Sequence, residues 1–172
     1  AFLLEDEDDL ASRLGGVMLD VPAARASDYE PMAAGRFFLF QYLIGNEDWS
    51  VTHFHNVKLL RVGSDHYPIP YDFDWSGLVN ASYAAPHPAY ADLIRSVRDR
   101  LYRGACSDLM DYPALFREFN RKREGIEAVI RGEPRLSEGS RKAALQYVRD
   151  FYQIINDERR AQRLIVRACV GR

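Results

Sequence analysis

The sequence predicts an α+β fold that is mainly helical, with a small antiparallel β-ribbon that carries the candidate site. Three observations support this class. Residues 31–44 form an apolar run of helical length that opens with a proline. Residues 56–71 contain two strand-like runs joined by a turn. Residues 115–156 contain two amphipathic segments, with apolar side chains at helical spacing in the second. Most of the chain is therefore assigned to helices.

Length and composition fit one folded domain. The chain has 172 residues, 47% of them apolar, so we expect residues 1–172 to form a single domain with its own core. The net charge of −2 argues against nucleic-acid binding through bulk electrostatics. No apolar run approaches the roughly 20 residues of a membrane span. No signal peptide is visible.

The two cysteines, Cys106 and Cys169, form no C-x-x-C or zinc pattern and no disulfide framework. We therefore expect two free thiols. Free thiols fit a reducing compartment, and the sequence offers nothing further on localisation.

The N-terminal region alternates short elements with loop. Residues 2–5 are predicted to form a short strand and residues 9–14 a helical turn. The turn stops at Gly15, because glycine commonly ends helices in the left-handed conformation. Residues 17–30 show no clear period and are predicted to be loop.

The next segment predicts a buried central helix. Pro31 stands at the first helical position, which proline favours. Residues 31–44 are apolar on almost every side, which is typical of a helix surrounded by other elements. Gly45 ends it, so the polar residues that follow lie on a loop held by a rigid helix.

Two strands with a turn between them predict the ribbon. Residues 56–62 form the first strand and residues 67–71 the second. The second contains two prolines, which lack an N–H, so only one of its edges can pair fully. An antiparallel ribbon places Asn56, at the start of one strand, near Asp72, at the end of the other.

The remainder is predicted to be helical after one loop. Residues 78–88 are predicted to be an ordered loop and residues 90–102 a helix. Residues 115–130, 137–156 and 159–170 are predicted to be three further helices. Four arginines recur in or just after the helix predicted for residues 90–102. The default interpretation is a solvated face and the alternative is contact with an acidic substrate: Arg95, Arg98, Arg100 and Arg103.

Two polar clusters, residues 45–56 and 67–77, carry the candidate chemistry. They supply four oxygen-bearing side chains: Asp48, Asn56, Asp72 and Asp74. Hard oxygen ligands of this kind suit Mg²⁺ or Mn²⁺ bound together with substrate phosphates. The predicted ribbon brings the two clusters together, so the sequence indicates one phosphoryl-transfer site.

Three stretches carry a family resemblance: FLLEDEDDLASRLG (residues 2–15), GNEDWSVTHFHN (45–56) and IPYDFDWSG (69–77). With them the sequence resembles the C-terminal lobe of atypical kinases of the spore-coat CotH type. They are similar to the crossing between the two lobes, the catalytic loop and the metal motif of that family. In about the first half of the chain, the similar stretches follow one another in the same order as in the family. The second half resembles the family only in being helical.

The resemblance implies a role for each residue. Asp48 would accept or orient the proton of the substrate hydroxyl. Asn56 would bind a metal ion, and Asp72 would be the principal ligand of a metal ion bridging the ATP phosphates. Glu5 would lie at the lobe crossing, where backbone groups meet adenine. For Asp74 two roles stay open, a second metal ligand and a cap of the following turn.

The resemblance therefore implies ATP and Mg²⁺ or Mn²⁺ as cofactors, and a hydroxyl-bearing protein or small molecule as acceptor. The chain has no glycine-rich phosphate loop and no identifiable ATP-anchoring lysine ahead of the catalytic loop. Both belong to the N-terminal lobe of such kinases. Either that lobe is missing from this chain, or the protein binds phosphates differently or not at all. The resemblance implies a C-lobe more strongly than it implies an active kinase.

Two other functions remain open from the sequence. A pseudokinase-like binding module would use the same carboxylates only to satisfy buried backbone groups. A metal-dependent hydrolase would combine His53 and His55, which face the same side of a strand, with Asp72 or Asp74. The ordinary interpretation of the two histidines is one in solvent and one packed against the loop.

Overall fold

The computed structural model describes residues 4–171, and this part of the chain has the predicted α+β class. It contains five α-helices and one antiparallel sheet of three strands. The helices are α1 (Glu7–Leu14), α2 (Pro31–Ile44), α3 (Tyr112–Gly132), α4 (Glu138–Ile155) and α5 (Glu158–Ala161). The strands are β1 (Val17–Leu19), β2 (Val57–Val62) and β3 (Asp65–Pro70). Among the described helices, none is long and apolar enough to cross a membrane.

Helix α2 is the buried central helix that the sequence predicts. The Glu30 carboxylate caps its start by accepting hydrogen bonds from the backbone N–H groups of Met32 and Ala33. Gly45 ends it at a φ of 64°. A Cβ on Gly45 would clash with the Tyr147 hydroxyl oxygen. Both the backbone angle and the lack of space therefore require glycine here.

The main core lies where α2 meets α3 and α4. Phe151 of α4 is fully buried and contacts three other aromatic rings at its edges and faces. Its ring centroid lies 6.2 Å from that of Tyr42, 5.6 Å from Phe119 and 5.2 Å from Tyr152. Both predicted amphipathic helices are thus confirmed as α3 and α4, and they fix α2 from one side.

The sheet has one strand more than the predicted ribbon. The β2–β3 pairing is antiparallel as expected, with Val57 opposite Pro70. Strand β1 adds to the other side of β2, with Met18 opposite Leu60. Strand order β1-β2-β3 leaves β3 at an edge, which is where its prolines can be accommodated. The loop prediction for residues 17–30 was therefore wrong at β1, and Ala26–Asp28 also forms a 3₁₀ turn.

Two other predictions of elements need correction. Leu4 and Glu5 are irregular rather than strand, and the rest of the strand predicted for residues 2–5 lies outside the described residues. Residues 91–102 do not form a helix. There the Asp99 carboxylate accepts hydrogen bonds from the N–H groups of Arg95 and Ser96, a local turn that competes with helix formation.

The predicted free thiols are in fact a disulfide between Cys106 and Cys169. Beside it, Ala105 and Val170 form a parallel bridge. The N–H of Val170 donates to the Gly104 carbonyl (2.9 Å). The helix predicted for residues 159–170 therefore ends early, since α5 and a π-helical turn finish at Val166. With no free thiols among the described cysteines, the inference of a reducing compartment loses its basis.

Candidate functional site

The polar loop after α2 folds back on itself and returns Asn56 to Asp48. Ser50 and His55 exchange two backbone hydrogen bonds, of 2.9 and 3.1 Å. Phe54 and Asn56 both have a φ of 53°, the left-handed conformation that the tight reversal requires. As a result, Asn56 Nδ2 donates to the Asp48 carbonyl (2.8 Å) and to Asp48 Oδ2 (2.9 Å).

The Asp48 carboxylate is held from both sides. Its Oδ1 lies 2.7 Å from His55 Nε2, and its Oδ2 accepts from Asn56. The side chain of Asn46, which lies just after the end of α2, accepts a hydrogen bond from the Asp48 N–H (3.0 Å). Asn46 therefore helps to orient the loop. About a quarter of the Asp48 side chain stays exposed, 27%. A reactant can therefore reach a carboxylate whose orientation is fixed.

The second loop places Asp72 beside the first. The Tyr71 N–H donates to the Asn56 carbonyl (3.1 Å), which extends the β2–β3 pairing to the two loops. Asp72 then turns away with a φ of 55°. Burial raises the pKa of Asp72, the adjacent Asp74 carboxyl raises it further, and Asp48 adds a smaller effect. The predicted meeting of Asp48, Asn56 and Asp72 is thus found in the structure.

Asp74 takes part in the same cluster through its contact with Asp72. Its Oδ2 accepts a hydrogen bond from the hydroxyl of Tyr83 (2.8 Å). The turn at residues 73–76 closes through backbone atoms, with the Ser76 N–H donating to the Phe73 carbonyl (3.0 Å). Among the hydrogen bonds of residues 4–171, none joins the Asp74 side chain to a backbone amide of this turn. The geometry therefore does not support the turn-cap alternative.

These side chains fit a hard divalent cation. Asp72 Oδ1 is buried and has no hydrogen-bond partner, which is costly for a carboxylate oxygen unless a cation lies beside it. Asn56 uses its Nδ2 for Asp48, so its Oδ1 is the atom that could contact a metal ion. Within residues 4–171 no group of three or more His, Cys, Asp or Glu side chains is arranged to hold a metal. A site with few protein ligands is what Mg²⁺ uses when phosphates supply the others.

Glu5 lies apart from this cluster. Its carboxylate forms two hydrogen bonds with Arg13, of 2.8 and 2.6 Å. Both residues border a groove of about 290 Å³ between the N-terminal segment and the β2–β3 pair. Apolar side chains form much of its wall: Leu4, Leu10, Ile69, Pro70 and Tyr71. The groove thus ends one residue before Asp72.

The two histidines of the loop do not gather around Asp72 or Asp74. His55 Nε2 is bonded to Asp48 Oδ1. His53 Nδ1 lies 3.0 Å from the Thr52 hydroxyl oxygen and 3.4 Å from that of Ser50. The geometry therefore does not favour the hydrolase that the sequence left open.

Two residues next to Asp48 could not be recognised from the sequence. Glu47 is buried, although it stands in a polar loop. Arg103 reaches the loop from the segment where a solvated helix face was predicted. Glu47 and Arg103 are far apart in sequence and match no pattern of spacing, so only the tertiary fold reveals their contact.

Burial raises the pKa of Glu47 to about 7, and the positive charge of Arg103 opposes part of that shift. Between pH 4.5, its ordinary pKa, and pH 7, the folded chain keeps a proton that the unfolded chain has lost. We therefore expect a contribution to the free energy of unfolding that falls as pH rises through this window. Urea denaturation at several pH values measures it.

Glu47→Gln should remove this contribution, because glutamine does not titrate. Glu138→Gln, at an exposed position of α4, is the control and should keep the wild-type pH dependence. Identical pH profiles for Glu47→Gln and the wild type would contradict the assignment.

No protein-family model, curated protein or solved structure matches this chain. The likeness to CotH-type kinases therefore stays a prediction from the sequence, and the function is argued from the geometry of the site.

Proposed function

We propose that this chain binds ATP with Mg²⁺ or Mn²⁺ and transfers a phosphoryl group to a hydroxyl acceptor. The observation that carries the proposal is the unpartnered, buried Oδ1 of Asp72 in a left-handed turn beside Asp48 and Asn56. Phosphoryl transfer depends on positioning and on charge neutralisation by metal, and these residues supply both.

Each residue has a role that its contacts support. Asp72, Asn56 through Oδ1, and Asp74 would hold the divalent ion. When bound, such an ion neutralises charge on the phosphate oxygens. Asp48, fixed by His55 and Asn56, would accept or orient the proton of the acceptor hydroxyl. The hydroxyl of Tyr83 must release Asp74 before that carboxylate can use both oxygens.

The apolar groove beside the cluster suits the base of the nucleotide. It is about 290 Å³ in volume and runs to Tyr71, the neighbour of Asp72. A planar base between apolar walls would leave its phosphates directed toward the carboxylates. The ion pair of Glu5 with Arg13 lies at the rim, so the side chain of Glu5 is not needed for this contact.

Calorimetric titration of ATP with Mg²⁺ or Mn²⁺ tests the proposal. The wild type should bind the nucleotide only when metal is present, and Asp72→Asn should lose at least tenfold in affinity. Asp108→Asn is the matched control, because Asp108 is an exposed aspartate on another loop, and it should bind like the wild type.

The same titration separates the alternatives. No binding of metal or nucleotide by the wild type would favour the pseudokinase-like module, whose carboxylates only satisfy buried backbone groups. Binding of Zn²⁺ or Mn²⁺ without nucleotide, weakened by His53→Ala, would favour the hydrolase. Equal affinity for nucleotide in Asp72→Asn and the wild type would rule out the proposed metal site.

A further inference from the structure

Arg103 contacts the backbone on both sides of Asp48. Its Nη1 donates to the carbonyl of Glu47 (2.5 Å) and to the carbonyl of Trp49 (3.1 Å). Asp48 stands between these two residues, so a single guanidinium group bridges the peptide before Asp48 and the peptide that follows Trp49. The loop cannot rotate about Asp48 without breaking one of the two bonds.

The guanidinium group is itself fixed by packing. Its Cζ lies 4.5 Å from the centre of the Trp49 ring and 4.6 Å from that of Tyr90. Cations held over aromatic faces in this way gain stability, more so when water is excluded. The Glu47 side chain is buried near this place, and its charge and that of Arg103 affect each other's pKa. Stacking and hydrogen bonding both favour one orientation of the guanidinium group.

The segment that carries Arg103 is anchored to the rest of the fold. On one side the hydroxyls of Tyr102 and Tyr112 lie 3.1 Å apart in the core. On the other side the Gly104 carbonyl accepts from Val170 (2.9 Å), and the disulfide of Cys106 follows two residues later. Arg103 therefore extends from a fixed backbone toward the Asp48 loop.

We propose that Arg103 is a positioning residue that holds Asp48 in its working orientation. It touches no reacting atom and acts through the backbone of the loop. The inference rests on the proposed function for its catalytic consequence, whereas its structural part can be tested without activity. The hydrogen bond between His55 Nε2 and Asp48 Oδ1 serves as the reporter of Asp48 orientation.

Arg100 provides a matched control. It also bonds to backbone carbonyls, those of Tyr42 (3.0 Å), Leu43 (3.1 Å) and Tyr147 (2.5 Å). It also stacks on an aromatic ring, with its Cζ 3.6 Å from the centre of Tyr147. Its bonds secure the end of α2 and α4, and they do not include the carbonyls of Glu47 and Trp49. Loss of Arg100 thus removes similar contacts at a different place.

The first test follows the ¹⁵N resonance of His55 Nε2 by NMR in the folded protein. In Arg103→Met the loop should release Asp48 from His55. The resonance should then move to the chemical shift of a histidine that has no carboxylate partner. In Arg103→Lys it should stay near the wild-type position, because an ammonium group can still donate to a carbonyl. In Arg100→Met it should also stay, even where thermal unfolding shows lower stability.

The second test is release of phosphate from ATP and Mg²⁺, with water as the hydroxyl acceptor. Arg103→Met should lower kcat by about 100-fold, the effect expected for a catalytic group displaced by about 1 Å, with KM for ATP nearly unchanged. Arg103→Lys should recover part of the loss. Loss of the same size in Arg100→Met would mean that Arg103 acts only through stability.

The outcomes separate the two claims. An unchanged His55 resonance in Arg103→Met overturns the positioning role, whatever the activity. No phosphate release from the wild type counts against the proposed function, while the NMR comparison still decides the role of Arg103. A shifted resonance together with a lower kcat supports both.

Discussion

Replacing Asp48 with asparagine is expected to lower the rate of phosphoryl transfer by about 10²- to 10⁴-fold, the usual contribution of a proton-accepting group. Asparagine has the size of aspartate and still accepts hydrogen bonds, but it takes up a proton far less readily. The Asp48 carboxylate is hydrogen-bonded to His55 and Asn56, and its negative charge acts on Asp72. Asparagine lacks this charge. Affinity for ATP with metal should stay within about threefold, since Asp48 is not assigned as a metal ligand.

Initial rates of phosphate release, measured beside calorimetric affinities, check this expectation. Asp108→Asn, which removes an exposed carboxylate outside the cluster, should change neither quantity. A fully active Asp48→Asn variant would show that Asp48 is not the proton acceptor. A variant that loses nucleotide binding as well would assign Asp48 to the metal site.

Removing the disulfide is expected to lower the free energy of unfolding by about 4 kcal/mol, from the loop-closure entropy of a loop of this length. Cys106 and Cys169 are 63 residues apart, and the loop they close contains α3, α4 and α5. Without the bond the unfolded chain gains conformational freedom. The segment after Arg103 also loses its covalent link to the C-terminal region.

Urea denaturation of the wild type and of the double variant Cys106→Ser with Cys169→Ser measures the difference. Adding a thiol reductant should lower the stability of the wild type toward that of the variant and should leave the variant unchanged. Two titratable thiols in the native, unreduced chain would contradict the disulfide. Equal stability with and without reductant would contradict its energetic role.

Local sequence patterns were sufficient for the long helices. The apolar run after Pro31, with Gly45 at its end, predicted α2 residue by residue. Helical spacing predicted α3 and α4 because each buries one face against α2. Strand β1 was missed because three residues are too few to show alternation, and its pairing with β2 depends on the tertiary fold.

The errors at residues 91–102 and at the cysteines have the same origin, because both depend on contacts between residues that are distant in the chain. Arginines in that segment looked like a solvated helix face, yet Arg98, Arg100 and Arg103 bond to carbonyls of other segments. Those carbonyls belong to residues distant in the chain. Likewise, nothing in the spacing of Cys106 and Cys169 shows that the fold brings them together.

The core of the candidate site was predictable because its geometry is local. Antiparallel pairing of two adjacent strands was enough to place Asn56 next to Tyr71 and Asp72. The partners of Asp48 could not be predicted so fully. Its contact with Asn56 requires left-handed backbone at Phe54 and Asn56, which the sequence alone did not indicate.

The central claim is that the two polar loops form one divalent-metal site for nucleotide phosphates. Paramagnetic broadening by Mn²⁺ in the presence of ATP, followed on backbone amide signals by NMR, tests it most directly. We predict early broadening at Asn56, Asp72 and Asp74, and its loss in Asp72→Asn. Broadening confined to other regions, or the same pattern in Asp72→Asn, would contradict the account.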